Sequence, residues 1–269
     1  MAISRAQLLK ELLPGLNALF GMEYARYDDE HTEIYETESS DRSFEEEVKL
    51  SGFDAAPVKD EGDAISYDAA QESFVARYNH ETIAMGFAIT EEAMEDNLYD
   101  SLSARYTKAL ARAMAHTKQV KAVFPLNNGF TNAYQSGDGV NLFTASSDGV
   151  TGGDGHPLVS GGKNSNRPGT AADLNETSLE AAVIQIGKWT DERGLLIAAR
   201  PQTLVIPPDL QFVATRVMKS ELRPATADND INALRSMNVI PGGTVVNHYL
   251  TDTDAWFLLT DIPDGMKHF

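Results

Sequence analysis

Along this chain the spacing of apolar residues changes several times, and each change marks a new element. Leu8, Leu9, Leu12, Leu13, Leu16, Leu19 and Phe20 recur at helical spacing, predicting an amphipathic helix that is kinked or restarted at Pro14. From Thr32 the period shortens to two. Ile34 and Tyr35 open a short strand, 45–50 forms a second one ending at Ser51-Gly52, and Asp60-Glu61-Gly62-Asp63 is a turn. A return limb over 73–89 carries Phe74, Val75 and Tyr78 and then alternates as Ile83, Met85, Phe87 and Ile89. The stretch 30–89 therefore reads as a long acidic hairpin with too little apolar surface for a core of its own. An isolated two-stranded hairpin is marginal in water, so this one needs a neighbour, and that points to an assembly subunit.

A helix is predicted over 90–124. Thr90 is its N-cap, Glu91, Glu92, Glu95, Asp96 and Asp100 crowd its start, and Arg105, Lys108, Arg112, His116, Lys118 and Lys121 fill the later turns, in the sense that the helix dipole favours. Leu98, Leu102, Tyr106, Ala109, Ala113 and Val120 form its apolar stripe. At 1.5 Å per residue its length would be on the order of 45 Å, suited to a structural spine. Pro125 ends it. The glycine-rich stretch 127–170 follows as loops, with brief ordered pieces at 140–143 and 156–159. A second helix is capped by Asp173, sets Leu174, Leu179, Ala182, Val183, Ile186 and Trp189 on one face, and closes near Gly194. Next come a buried strand over 203–206 stopped by Pro207-Pro208, a short helix with Leu210, Phe212, Val213 and Val217, and strands around Val245-Val246 and 256–259. The class is α+β.

A length of 269 residues with 42% hydrophobic content allows one large domain or two ordinary ones with a real core. With 40 acidic and 22 basic residues the formal charge is -18, so the average surface repels phosphate backbones. Partners are then proteins or cations, or the charge serves solubility. The chain has no cysteine, which removes disulfides, zinc-thiolate sites and thiol nucleophiles and fits a reducing compartment. No apolar run approaches the roughly 20 residues that a membrane span needs. The N-terminal leucines are interrupted by Lys10, Glu11, Pro14 and Asn17 and lead to no small-residue cleavage site, so the segment reads as mature protein.

Candidate chemistry is thin. Asp252, Asp254 and Asp261 flank the Trp256 strand, but solvated turn residues account for them better than a carboxylate site does. The run from Asp228 to Asn232 starts like a calcium loop, yet Ala233 stands where glycine is needed and Val239 where a bidentate glutamate is needed. Gly161-Gly162-Lys163 has the look of a phosphate-loop end, but Pro157 occupies the first glycine position and Asn164 replaces the hydroxyl that would hold Mg²⁺. The histidines, His31, His80, His116, His156, His248 and His268, have no partners at metal-ligand spacing, and no serine sits in a nucleophile elbow. Asn175-Glu176-Thr177 is formally a glycosylation sequon and is most simply a helix start. No catalytic, cofactor-binding or metal-ligating residue is named, and no cofactor is expected.

The order of elements does resemble a known design. Phe87-Ala88-Ile89-Thr90-Glu91-Glu92, Asn141-Leu142-Phe143 with His156-Pro157-Leu158, the run from Leu204 to Pro208 with Phe212-Val213-Ala214, Asn229 with Asn232, and Trp256-Phe257-Leu258-Leu259 together resemble the tailed-phage major capsid proteins of the Hong Kong 97-type fold, and among them the Mu-like major head subunits. The resemblance implies an N-terminal arm over 1–29 and an extended loop with the start of a peripheral domain over 30–89. It places a spine helix and the peripheral domain, with a loop insertion near 146–155, in 90–172, an axial domain in 173–246, and a returning strand in 247–269. A further strand beyond the Trp256 strand would be expected. The implied function is structural and non-enzymatic: self-assembly into hexamers and pentamers of an icosahedral head around double-stranded DNA, within the virion and built in the host cytoplasm. Scaffold and decoration proteins are the implied partners, DNA is a non-specific neighbour, and no membrane is involved. An encapsulin-like compartment shell is the nearest alternative; an acidic intracellular hydrolase using Asp252 and Asp261 is the alternative from another class.

Overall fold

A computed structural model describes residues 5–90, 99–131, 134–145, 155–223, 230–263 and 265–269, with the backbone alone for 5–14 and 99–101. Glu91, Glu92, Glu95, Asp96 and Leu98, most of the expected insertion at 146–155, and Asp228 with Asn229 lie outside the described residues, as do the side chains of Leu8, Leu9, Leu12 and Leu13. The chain divides into two compact units, one of residues 1–32 and 81–122 and the other of 33–80 and 123–269.

In the first unit, α1 (Arg5–Tyr24) is a single helix, so the restart at Pro14 does not occur. A proline costs one ladder bond and a local clash, and the helix continues on either side. The second helix, α2, spans Tyr99–Asn128 and contributes its turns up to Ala122 to this unit. Its buried face is not the expected one. Ser103, Thr107, Ala111, Ala115 and Gln119 are buried at four-residue spacing, whereas Tyr106 and Val120 are 53% and 42% exposed. Small side chains on the inner face allow close packing there, and the larger apolar groups are left outside. The alternation from Ile83 to Ile89 is likewise not a strand: the segment pairs with no ladder and has Phe87 against Tyr106, ring centroids 5.9 Å apart, and Glu81 2.7 Å from Lys121 Nζ. A period of two makes a strand only where a partner supplies hydrogen bonds.

A polar knot closes this unit. Lys118 Nζ donates to Asp29 Oδ2 at 3.0 Å, Gln119 Nε2 donates to Asp29 Oδ1 at 2.9 Å and lies 3.0 Å from His31 Nδ1, and the His31 N–H donates to Gln119 Oε1 at 3.2 Å. Burial, followed by the charge of Lys118, holds the His31 imidazole below its ordinary value of 6.5 against the opposing pull of Asp29 and Gln119.

The core of the second unit is built on β6 (Pro201–Ile206), which pairs in parallel with β7 (Thr244–Val246) and antiparallel with β8 (Phe257–Thr260). Leu204, Val205 and Ile206 are fully buried. Leu204 and Ile206 pack with Leu174, Leu179 of α3 (Glu176–Ile186), Ala214 and Val217 of α4 (Gln211–Lys219), Leu234 of α5 (Ala233–Ser236) and Ile240. Pro207-Pro208 ends the strand as expected, but Phe212 is 73% exposed and takes no part in the core. Gly242 fits here because a Cβ would strike Thr203 Oγ1 and the Gln202 carbonyl. The cap of α3 is Asn175, not Asp173: its side chain accepts from the Ser178 N–H at 2.9 Å, and Ser178 Oγ accepts from the Asn175 N–H at 3.0 Å. That reciprocal pair satisfies two otherwise orphaned donors, which the Asp173 side chain does not do.

Pro125 does not end α2. The helix continues to Asn128, because Val123 and Leu126 are buried and Asn127 ties 249–251 through a donated bond to Tyr249 O (3.1 Å) and an accepted one from the Thr251 N–H (3.0 Å). Phe130, Phe143 and Phe257 stack beside it, with ring centroids 4.8 to 5.9 Å apart. The glycine-rich stretch is held mainly by side chains. Asn166 Nδ2 donates to Leu142 O (2.6 Å) and Asn166 Oδ1 accepts from the Thr144 N–H (2.8 Å). His156 bridges Asp138 Oδ2 (2.6 Å) and Leu142 O (3.2 Å). Burial pushes the Asp138 carboxyl upward, but His156, the Val140 N–H and Ser136 together hold it below its ordinary value. Finally, β9 (Lys267–His268) lies parallel to β1 (Glu36–Thr37).

Two measurements check these assignments. Asn175→Ala is expected to lower the unfolding free energy by about 0.5–2 kcal/mol in urea titrations, and Asp173→Ala to leave it nearly unchanged. For His31, the unfolded chain takes up a proton at the ordinary value and the folded one only at lower pH. Its contribution is therefore present above pH 6.5 and lost as pH falls below it. Thermal unfolding from pH 7 to pH 5 should show less acid destabilisation in His31→Gln than in the parent.

Candidate assembly surface

The acidic hairpin consists of β2 (Phe44–Leu50) and β3 (Glu72–Asn79), antiparallel from Phe44↔Asn79 to Leu50↔Glu72, with an irregularity between Val48 and Leu50. Strand alternation gives it two different faces. On the inner face Ala76 lies so close to Gly137 that a Cβ on the glycine would sit 3.1 Å from Ala76 Cα. Glu47 receives Lys267 Nζ at 2.7 Å, and the Tyr78 ring lies 5.8 Å from that of Phe269. On the outer face Val48 and Val75 sit opposite each other, 47% and 52% exposed, and past the register shift Leu50, opposite Glu72, is 63% exposed. Arg77 completes that face by lying 3.9 Å over the Phe44 ring and 3.1 Å from Glu46.

Beyond Leu50 the ladder stops, and the chain returns only at Glu72. Ser51, itself buried, closes the base: its N–H donates to Gln71 O at 2.8 Å, and its Oγ accepts from the Gln71 N–H at 2.9 Å. Past this point Asp68 Oδ2 accepts from the Asp54 N–H at 2.8 Å, and that bond, with a second from the Ala69 N–H, lowers the Asp68 carboxyl below its ordinary value. The expected turn is present, with the Asp63 N–H reaching Asp60 O at 3.3 Å and Gly62 at φ +94°. No strand forms in the tip, and its apolar side chains stand in water: Val58 is 97% exposed, Tyr67 96%, Ile65 71% and Phe53 60%. Each side chain of this size forgoes about 1.5–3 kcal/mol of burial.

Two anchors at the base carried no sequence signal beyond a charged triplet before a glycine. Glu192, buried, lies 2.6 Å from Lys49 Nζ, and Arg193 Nη2 donates to Ala69 O at 2.7 Å. The other candidates fall elsewhere. Asp252 and Asp254 are exposed, with the Asp254 carboxyl raised by its hydrogen bond to Asp252 and by that residue's charge, while Asp261 Oδ1 accepts from the Arg200 N–H at 2.7 Å. Gly161-Gly162 lies in the turn of the small hairpin β4 (His156–Pro157) and β5 (Lys163–Asn164), with Lys163 opening β5 and Gly162 O accepting from the Leu158 N–H at 3.0 Å. Asn232 is the buried cap of α5 and donates to Val217 O at 2.6 Å. Among the described residues, no group of three or more His, Asp or Glu is placed to hold a metal ion, and no helix is long and apolar enough to cross a membrane. A cavity of about 470 Å³ lies between the end of α1 and α2, lined by Glu23, Tyr27, Lys108, Arg112 and His116 among others. What the hairpin offers is surface: a half-apolar outer face and a tip with exposed apolar side chains.

A family model described as phage capsid protein matches residues 75–269. Among solved structures, the fold is similar to that in the capsid of bacteriophage JBD30 decorated with minor capsid protein trimers, with a TM-score of 0.57 and 16% identity over 82% of this chain and 90% of that one. It is similar also to that in the procapsid of bacteriophage JBD30, with a TM-score of 0.55 and 16% identity over 92% of this chain and all of that one. No curated protein matches the chain.

Replacing Val58 and Tyr67 by serine should change subunit stability by less than about 0.5 kcal/mol, the range of exposed positions. The same double substitution should weaken self-association, read by sedimentation velocity over a concentration series.

Proposed function

The chain belongs to the phage capsid protein family, whose role is structural, and we propose that its acidic hairpin is the surface through which copies join into an icosahedral head. In this reading the protein is the major capsid subunit, non-enzymatic, forming hexamers and pentamers around double-stranded DNA in a shell completed in the host cytoplasm. The architecture is of the Hong Kong 97 type, related to the Mu-like head subunits. Its parts are an arm over 1–29, an extended loop over 30–89, a spine helix and peripheral domain over 90–172, an axial domain over 173–246 and a returning strand over 247–269. Scaffold and decoration proteins are its expected partners.

The observation that carries this reading is the tip of the hairpin. Val58 and Tyr67 at 97% and 96% exposure have no role in the subunit's own core, and a soluble subunit gains nothing from placing them on a long acidic excursion. Burial against a neighbouring copy gives both a use. The acidity supports the same reading, since a shell of this net charge discourages DNA from adhering to its wall.

Purified protein, alone or with a scaffold protein from the same phage, should form closed particles visible by negative-stain microscopy, and particles from infected cells should hold DNA. Deleting 54–71 should abolish particles while leaving a folded subunit. A parent protein that stays monomeric with its hairpin resistant to protease would overturn the proposal.

A further inference from the structure

The turn that presents Glu192 and Arg193 is braced from within. Asp191 Oδ1 accepts from the Arg193 N–H at 2.9 Å and from the Leu195 N–H at 2.8 Å, the Asp191 N–H donates to Leu195 O at 2.8 Å, and Gly194 takes the left-handed φ of +86° that closes the turn. The two charged side chains therefore start from a fixed frame. Glu192 is 4% exposed and divides its carboxylate between two elements. Oε2 accepts from the Val159 N–H at 3.1 Å, and Oε1 faces Lys49 Nζ of β2 at 2.6 Å. Arg193, 13% exposed in its side chain, reaches both limbs of the hairpin at once. Nη2 donates to Ala69 O on the returning limb at 2.7 Å, and Nη1 lies 3.7 Å from Asp54 on the outgoing limb.

These contacts fall where the ladder ends, at Leu50 and Glu72. Up to that pair the limbs are held by backbone bonds; beyond it they are held by the Ser51–Gln71 and Asp54–Asp68 bonds and by this turn. We propose that Glu192 and Arg193 are positioning residues for assembly, a two-sided clasp that fixes the orientation in which the hairpin is offered to the next copy. The planar guanidinium suits the task because its separate N–H groups can hold two limbs, which a lysine ammonium does less well. The carboxylate makes the orientation discrete. Swinging β2 away would take Lys49 from a buried charge, and a buried charge without its partner is strongly disfavoured. Because Glu192 also holds Val159, and its carbonyl accepts from the Ser160 N–H at 3.0 Å, the hairpin's position is tied to the β4–β5 hairpin as well.

The role in assembly rests on the shell reading above, but the clasp itself can be read on the unassembled subunit. Hydrogen exchange in the full chain should rise about tenfold at the Ser51, Asp54 and Gln71 amides in Arg193→Ala and in Glu192→Gln, with exchange in β6 and the midpoint of thermal unfolding unchanged. Arg193→Lys should fall between parent and alanine variant. Particle formation by negative-stain microscopy should slow in the order of those exchange rates. Unchanged exchange at the three amides in both Arg193→Ala and Glu192→Gln would overturn the clasp, and so would a rise spread over the whole subunit. Failure of the parent to form particles would overturn the shell reading instead and leave the exchange result standing.

Discussion

Burial of β6 is the interaction on which the second unit depends. Leu204, Val205 and Ile206 exclude water completely, and α3, α4 and α5 gather around that strand. Apolar burial of this kind is the largest favourable term a folded chain has. Away from it, the hairpin and the glycine-rich stretch are fastened by amide side chains, ion pairs and close backbone approach. The neutral hydrogen bonds among these ties contribute about 0.5–1.5 kcal/mol each, and the buried Glu192 carboxylate is costlier to unpair. A unit built this way has one firm apolar centre and a periphery held by specific polar contacts.

How far the sequence could be read follows the same division. Where burial decides structure, the pattern was legible: β6 with its double-proline stop, the β8 strand and the apolar face of α3 lie where the spacing of apolar residues put them. The hairpin limbs were legible too, because strand alternation survives even when only one face is covered. Local pattern ceases to decide where competing choices are nearly equal. Asp173 and Asn175 are both good caps, and only the reciprocal bond with Ser178 separates them. Pro125 is a stop in isolation but not when Val123 and Leu126 have a place to be buried. Ile83 to Ile89 alternates correctly yet finds no ladder.

The candidate surface was half legible. Its existence followed from a hairpin too polar to stand alone, and the exposure of Val58, Ile65 and Tyr67 agrees with that argument. The residues that hold its base were not. Glu192 and Arg193 act across more than 120 residues of sequence, on Lys49 and Ala69, and no local periodicity records such a contact. The α2 stripe shows the converse, since a count of apolar residues chose Tyr106 and Val120 as the inner face, while close packing chose the smaller Ser103, Thr107, Ala111 and Ala115.

The hairpin has open edges as well as an exposed tip. Among the described residues its two strands form a sheet of their own, and open strand edges with apolar tips are templates for indiscriminate stacking. Glu45, Glu46 and Glu47 are consecutive on β2, so aligning two β2 edges would bring like charges together, offset in part by Arg77 on Glu46 and Lys267 on Glu47. Such a run penalises fibre-like pairing of one β2 edge with another while the apolar groups of the tip stay exposed.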